Sequence, residues 1–298
     1  FIESPFFQTP RVFLLNSDTM TSVDHIIFAV SDLEEATRDY ELILGRAPSW
    51  KGTHPEYGSA NTLFQLENTY IELLAAEGRG FAADLVNNIL STRGQSLGGL
   101  VFGTKEVKTF LSWARSHGLD VAEPLPGYGI DNETGATRTW QSMFWDLQAA
   151  RGIFSFCICH DEFPSLSMAK ATTEACISAV DHVVVQTKDA DAAKLFFGGQ
   201  LGIRLALEQN VPAWGGTQLF FRTNSMSIEV IASSKFADID MLWGIALKTQ
   251  DIRAIHERLI ESGVAVSEVR EGRKSGTLVL TVKSNALDVP TLLIEHSL

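Results

Sequence analysis

The sequence predicts an α+β fold of four tandem βαβββ units. Three observations predict it: a long repeat at one offset, a weaker repeat at another, and one order of strand and helix signals inside every repeat. The first repeat opens where VDHIIFAVSD, Val23 to Asp32, returns as VDHVVVQTKD, Val180 to Asp189. At the offset of 157 residues that carries His25 to His182, Asp24/Asp181, Ala36/Ala193, Leu44/Leu201, Gly45/Gly202, Pro55/Pro212, Gly58/Gly215, Phe64/Phe221, Ile71/Ile228 and Glu72/Glu229 are also identical. Identity held at one spacing through strands and turns alike is an internal duplication. A second match, at the offset of 145 that carries Gly118 to Gly263, aligns GGLVFGTKEVKTFLSWARSHGLDVAE with WGIALKTQDIRAIHERLIESGVAVSE.

Each unit opens on an apolar strand: HIIFAV, LVFGT, HVVVQT or IALKT. A helix follows, with apolar residues at three-and-four spacing. In the first unit Leu33, Ala36, Tyr40 and Ile43 share a face, Ser31 with Glu34 forms a capping box, and Gly45 stops the helix. In the second, Val107, Phe110, Leu111 and Ala114 do the same, ending at Gly118. Strand pairs joined by short polar turns complete the unit, read best in NTLFQLE with TYIELLA and in QLFFRTN with SIEVIAS. The units run over residues 21–78, 96–160, 177–234 and 241–297. Residues 21–160 then form one half and 179–298 the other, joined by a linker at 161–178, and residues 1–20 are expected to be a leader or appended segment ahead of Met20.

Composition narrows the function classes. A chain of 298 residues with 45% hydrophobic content can bury a large core, and a net charge of −12 leaves no basic stripe for nucleic acid or an anionic membrane surface. Small molecules are the expected partners, and the chain itself is expected to be a monomer or homodimer. Three cysteines are too few for a disulfide framework, and no apolar run has the length of a membrane span. The expected compartment is the cytoplasm.

The duplicated side chains are the candidate site. A lone histidine on an apolar strand usually packs as a hydrogen-bonded core residue. Here His25 and His182 recur, and so do Glu72 and Glu229, each carboxylate inside an apolar strand, YIELL and SIEVI. Burying a carboxylate without a cation or donor is costly, so the pattern points to a metal or ligand. The loop HPEYGSAN differs from its duplicate VPAWGGTQ at its polar positions, which makes His54 and Asn61 candidate substrate contacts. Trp140 and Trp214 are candidate pocket walls, with core packing the commoner fate.

Four βαβββ units with His near the start of a first strand and Glu in a fourth resemble the vicinal oxygen chelate superfamily, which includes glyoxalase I, extradiol dioxygenases and bleomycin-resistance proteins. HPEYGSANTLFQLENTYIELLA and FSFCICHDEFP resemble its glyoxalase-like branch. The resemblance implies that units pair into two curved, mainly antiparallel sheet cups, with metal ligands from first and fourth strands. It implies a divalent metal, with Fe, Mn, Ni, Co, Zn and Mg not distinguished, and lyase, isomerase or dioxygenase chemistry on vicinal oxygens. Aligning FCICHD with LLIEHS, the implied positions are His25, Gly99, Glu72 and Cys159 in the first half and His182, Gly244, Glu229 and Glu295 in the second. The second half is expected to be the better metal site, with Glu229 or Glu72 doubling as base and Cys159 a soft donor or substrate contact. Glycine at position 244, where ring-cleaving relatives resemble a second histidine ligand, counts against ring cleavage. The alternative is a metal-free binding or sequestering protein.

Overall fold

The computed structural model describes residues 20–161, 165–211 and 215–297. The expected leader, apart from Met20, and Trp214 lie outside the described residues.

The first half runs β1 (Ser22–Ala29), α1 (Leu33–Leu44), β2 (Trp50–His54), β3 (Ser59–Gln65), β4 (Tyr70–Ala76), α2 (Phe81–Arg93), β5 (Ser96–Gly103), α3 (Val107–Ser116), β6 (Leu125–Asp131), β7 (Thr137–Phe144) and β8 (Ser155–His160). Its strands close into a barrel in the order β1-β4-β3-β2-β6-β7-β8-β5. β1 and β5 pair antiparallel at the centre, and each pairs in parallel with the last strand of its own unit. Pairing of Gly52 with Asp131 and Thr53 with Ile130 closes the ring.

The second half repeats the plan with β9 (Ile177–Thr187), α4 (Ala190–Ala193) running into a π-helical turn (Lys194–Gln200), β10 (Arg204–Val211), β11 (Gly216–Thr223), β12 (Met226–Ala232), β13 (Met241–Thr249), α5 (Ile252–Glu261), β14 (Arg270–Glu271), β15 (Thr277–Val282) and β16 (Thr291–His296). The strand order is equivalent, β10-β11-β12-β9-β13-β16-β15-β14, but the sheet stays open. Its edge strand β14 is only 2 residues long, whereas the equivalent β6 has 7 and reaches β2. The expected pair of cups is thus one closed barrel and one open sheet.

An acidic N-cap starts the first helix of every unit: Asp32, Glu106, Asp189 and Asp251 accept from backbone N–H groups of the first turn. This corrects the expected Ser31–Glu34 box, because Asp32 accepts from Glu35 N at 2.9 Å. Gly45 ends α1 at φ +63, in the left-handed region where a Cβ would also meet Thr173 Cγ2 at 2.8 Å. α2 fills the interval between the first two predicted units and has no counterpart in the second half, where residues 233–240 make the same connection without a helix.

One apolar cluster joins the halves through their helical sides. It includes Phe28, Tyr40, Phe64, Phe102 and Phe110 of the first half with Phe196, Phe197, Phe221, Ile255 and Leu259 of the second. A separate cluster lies inside the barrel, where Ile27, Ala29, Leu74, Val101, Phe156 and Ile158 meet Val86 and Ile89 of α2. The strands therefore carry two apolar faces, one against the helices and one against the cavity.

Candidate functional site

Strand alternation builds the cavity. Successive side chains point to opposite faces, so His25 and Ile27 of β1, Asn61 and Leu63 of β3, Tyr70, Glu72 and Leu74 of β4, Arg138, Trp140, Ser142 and Phe144 of β7, and Phe156, Ile158 and His160 of β8 enter the barrel. The neighbours Ile26, Phe28, Ile71, Leu73 and Cys157 turn to the helical core. Trp50 and His54 reach in from β2, and Phe81, Ala82 and Leu85 of α2 close one side. Four of the expected first-half residues, His25, Glu72, His54 and Asn61, thus share one cavity with Trp140.

A continuous polar chain crosses this cavity. His25 Nδ1 lies 2.7 Å from Asp24 Oδ1, and its Nε2 lies 3.3 Å from Glu72 Oε2. Asn61 Nδ2 donates to Glu72 Oε1 at 2.7 Å and stands 3.4 Å from His54 Nε2, while His54 Nδ1 meets Ser59 Oγ at 3.0 Å. On the other side His160 Nε2 lies 3.1 Å from Asp24 Oδ1. The Tyr70 ring stacks on His25 with centroids 4.5 Å apart. Asp24 belongs here despite alternation because the β1–β5 register slips between Val23 and His25, a bulge that turns its side chain inward. The same slip in the β13–β9 pairing turns Asp181. The bulge explains why Asp and His are written side by side in both copies.

Burial by itself lowers the pKa of His25, but its bonds to Asp24 and Glu72 outweigh that and raise it to about 9. Burial raises Glu72, and the bond and charge of His25, with His54 and the Asn61 bond, together more than reverse it, so the carboxyl lies below its ordinary value. Asp24 is likewise pushed up by burial and held well below the carboxylate range by His160 and His25. At neutral pH the core of the chain is a cation between two carboxylates. Burial pushes His54 the other way, downward, more than the Glu72 charge restores it.

The second half repeats the chain on its open sheet. His182 Nδ1 lies 2.7 Å from Asp181 Oδ1 and its Nε2 3.2 Å from Glu229 Oε2. Gln218 donates to Glu229 Oε1 as Asn61 does to Glu72, and His296 Nε2 meets Asp181 Oδ2 at 2.5 Å as His160 meets Asp24. Asp181 is raised by burial and drawn down to about 2 by the two histidines. Among the described residues no helix covers this copy, and the His182 side chain is 16% exposed against 4% for His25.

Two expected ligands are corrected. Glu295 lies on the helical side of β16, where its Oε2 accepts from Ile252 N at 2.8 Å at the start of α5. Cys159 lies on the helical side of β8 and packs against the core. The alignment of FCICHD with LLIEHS stands, but the column read from it is wrong. Glu72 lies opposite Ile27, and the equivalent pair in the second unit is Val101 with Phe156. Glu229 lies opposite Val184, and its counterpart is Ala246 with Leu292. An odd slip along a strand reverses the face.

The four positions in the barrel are therefore His25, Gly99, Glu72 and Phe156, and in the open sheet His182, Gly244, Glu229 and Leu292. A Cβ at Gly99 would meet Phe154 Cδ1 at 2.9 Å, and one at Gly244 would meet the Pro290 carbonyl at 2.8 Å. Among the described residues no three His, Cys, Asp or Glu side chains gather closely enough to hold a metal ion. Each half offers a two-donor pair, which does not fit a resident divalent ion.

Tyr70, Arg138, Phe144, Phe154, Phe156 and His160 were not predicted as site residues. Arg138 carried a readable signal: in TRTWQSMF it shares the strand face of Trp140 and Phe144.

A curved sheet enclosing an aromatic cavity, with a first-strand His and a fourth-strand Glu, is the architecture expected of a glyoxalase-like fold. Glyoxalase-like domains match residues 23–176, and the glyoxalase/bleomycin resistance protein/dioxygenase superfamily matches residues 181–281. The chain belongs to this superfamily. It is similar in structure to a hypothetical protein from Staphylococcus aureus, with 14% identity over 93% of this chain and 100% of that one and a TM-score of 0.63. It is also similar to a mutant of 4-hydroxymandelate synthase from Streptomyces coelicolor, with 15% identity over 94% of this chain and 93% of that one and a TM-score of 0.65. Both likenesses are of fold. No curated protein matches the chain. No helix among the described residues is long and apolar enough to cross a membrane.

Proposed function

We propose that the first-half barrel moves a proton on a small substrate with neighbouring oxygens, Glu72 acting as base and His25 as acid and anchor. The observation supporting this reading is the buried chain Asp24–His25–Glu72–Asn61 opening on an aromatic cavity. A substrate oxygen that accepts from His25 Nε2 replaces Glu72 there. Glu72 then loses the bond that holds its pKa down while staying buried, so its proton affinity rises where the substrate sits. Negative charge developing on that oxygen faces the imidazolium. Asn61 keeps hold of the other Glu72 oxygen, and its own Oδ1, buried without a partner among the described residues, can accept from a substrate hydroxyl. Isomerisation and elimination are the reaction classes this supports.

A second reading, a binding protein that sequesters its ligand, is favoured by the wall itself, which is dominated by apolar and aromatic side chains. Deuterium exchange separates the two. Small 2-oxo acids and α-hydroxyketones in D2O, followed by proton NMR, should lose their α-proton signal with the wild-type protein, at a rate roughly 100-fold lower in Glu72→Gln. Binding without exchange in the wild type, or exchange untouched by Glu72→Gln, removes the proton-transfer reading.

A further inference from the structure

Arg138 is a charged side chain without a described partner. It is 9% exposed, and its guanidinium lies over the face of Trp50, 5.7 Å from the ring centroid. Among the described residues it forms no ion pair with a carboxylate. It lines the cavity that holds His25 and Glu72, and also an adjoining polar recess that shares Tyr70 and His160 with it. The acids of that recess are engaged elsewhere, Asp24 with His25 and His160 and Asp161 with Thr139 Oγ1. Among the described residues this buried guanidinium has an aromatic face against it and no carboxylate bonded to it, the partner that ordinarily offsets its desolvation.

We propose that Arg138 receives the carboxylate of the ligand, so that the barrel takes small monocarboxylates with an apolar body. This rests on the first-half barrel being the working site. The planar fork of arginine matches a carboxylate with two parallel N–H bonds. Trp140, Phe144, Phe154 and Phe156 form the wall for the apolar body. Charge decides between anions: Asp24 and Glu72 stand in the same barrel, so a monoanion is accommodated by one guanidinium whereas a phosphate dianion meets repulsion.

The test uses matched pairs on the full chain: phenylacetate, cyclohexylacetate and 3-methylbutanoate, each beside its primary amide, with phenyl phosphate as the dianion. Tryptophan fluorescence gives affinity and thermal melting gives protection. The acids should bind the wild type at least tenfold more tightly than their amides and than phenyl phosphate. Arg138→Gln should remove that preference by weakening the acids far more than the amides, and Arg138→Lys should restore part of it. Without ligand, Arg138→Gln should melt at or above the wild-type temperature, because no ion pair among the described residues is lost and a buried charge is removed. A steep fall in ligand-free Tm would make Arg138 structural and overturn the proposal. Equal binding of acids and amides, or an acid preference surviving Arg138→Gln, would overturn it while leaving the barrel as a site. Failure of every pair to bind the wild type would take the barrel reading down with it.

Discussion

His25, held between Asp24 and Glu72, sets how this protein answers to pH. Its folded pKa of about 9 lies above the ordinary 6.5, so the stability it contributes is full below about pH 6.5 and lost as pH rises through about 9. With the side chain 4% exposed, the loss is on the order of 3 kcal/mol. Denaturant midpoints measured from about pH 6 to about pH 8.5, below the range where the buried thiol and phenols would ionise on unfolding, should fall in the wild type and change little in His25→Asn. An equal decline in both would show that the histidine is not the titrating group. Glu72 and Asp24 act with the opposite sign: their lowered values add stability above the ordinary carboxylate range that is lost on acidification. The donor count makes a second prediction, that Mn2+, Ni2+ or Zn2+ in tenfold excess leaves Tm within about 1 °C, since a ligand stabilises only above its dissociation constant. A rise of several degrees that vanishes in both His25→Ala and Glu72→Ala would return metal chemistry to the barrel. His25 and Glu72 were legible in the sequence because duplication wrote them twice inside apolar strands. Which residue of β8 or β16 stands opposite Glu72 or Glu229 was not, because register is set by pairing between distant strands, and Cys159 and Glu295 fell on the wrong face.

α2 is what separates the two copies of one plan. Val86 and Ile89 are buried inside the barrel, and Leu85 lines the cavity. Ile89→Ala should cost about 2–4 kcal/mol by leaving a void among Ile27, Leu74 and Val101, measurable by urea unfolding. Leu85→Trp should instead intrude into the cavity, abolishing protection by small ligands while leaving the fold intact by circular dichroism. Ligand protection undiminished in Leu85→Trp would place the ligand outside the barrel. The helix escaped the sequence reading because it has no duplicate, and repeat logic sees only what is written twice. β14 escaped for a related reason: its unit aligns with the second one, yet only 2 residues pair, and this leaves the second sheet open.

Neither half is a self-contained body, because each completes the other's backbone. Asn68, in the β3–β4 turn, accepts from Val180 N at 3.1 Å and donates to Val180 O at 2.8 Å, just ahead of Asp181 and His182. Asn224, between β11 and β12, clamps Val23 in the same way, at 3.2 and 3.0 Å, just ahead of Asp24 and His25. Arg258 of α5 reaches across to donate to the carbonyls of Leu42 and Ile43, two of the orphan acceptors at the end of α1, where a cation is also favoured by the helix dipole. With one apolar cluster running through both helical sides, separating the halves would expose the core of each. The expected outcome is a single unfolding transition, with near-UV circular dichroism and tryptophan fluorescence coinciding along the denaturant axis. Arg258→Ala should move that one transition by about 2–3 kcal/mol without splitting it, since charged hydrogen bonds from the second half to carbonyls at the end of α1 are lost. Asn224→Ala carries the sharper consequence. It frees the backbone that sets the bulge at Asp24, so the His25 ring resonances should shift although the substitution lies in the other half. Two resolved transitions, or His25 signals unmoved in Asn224→Ala, would mean that the second half merely accompanies the barrel; shifted signals with one transition would make it part of the device that aims Asp24 at His25.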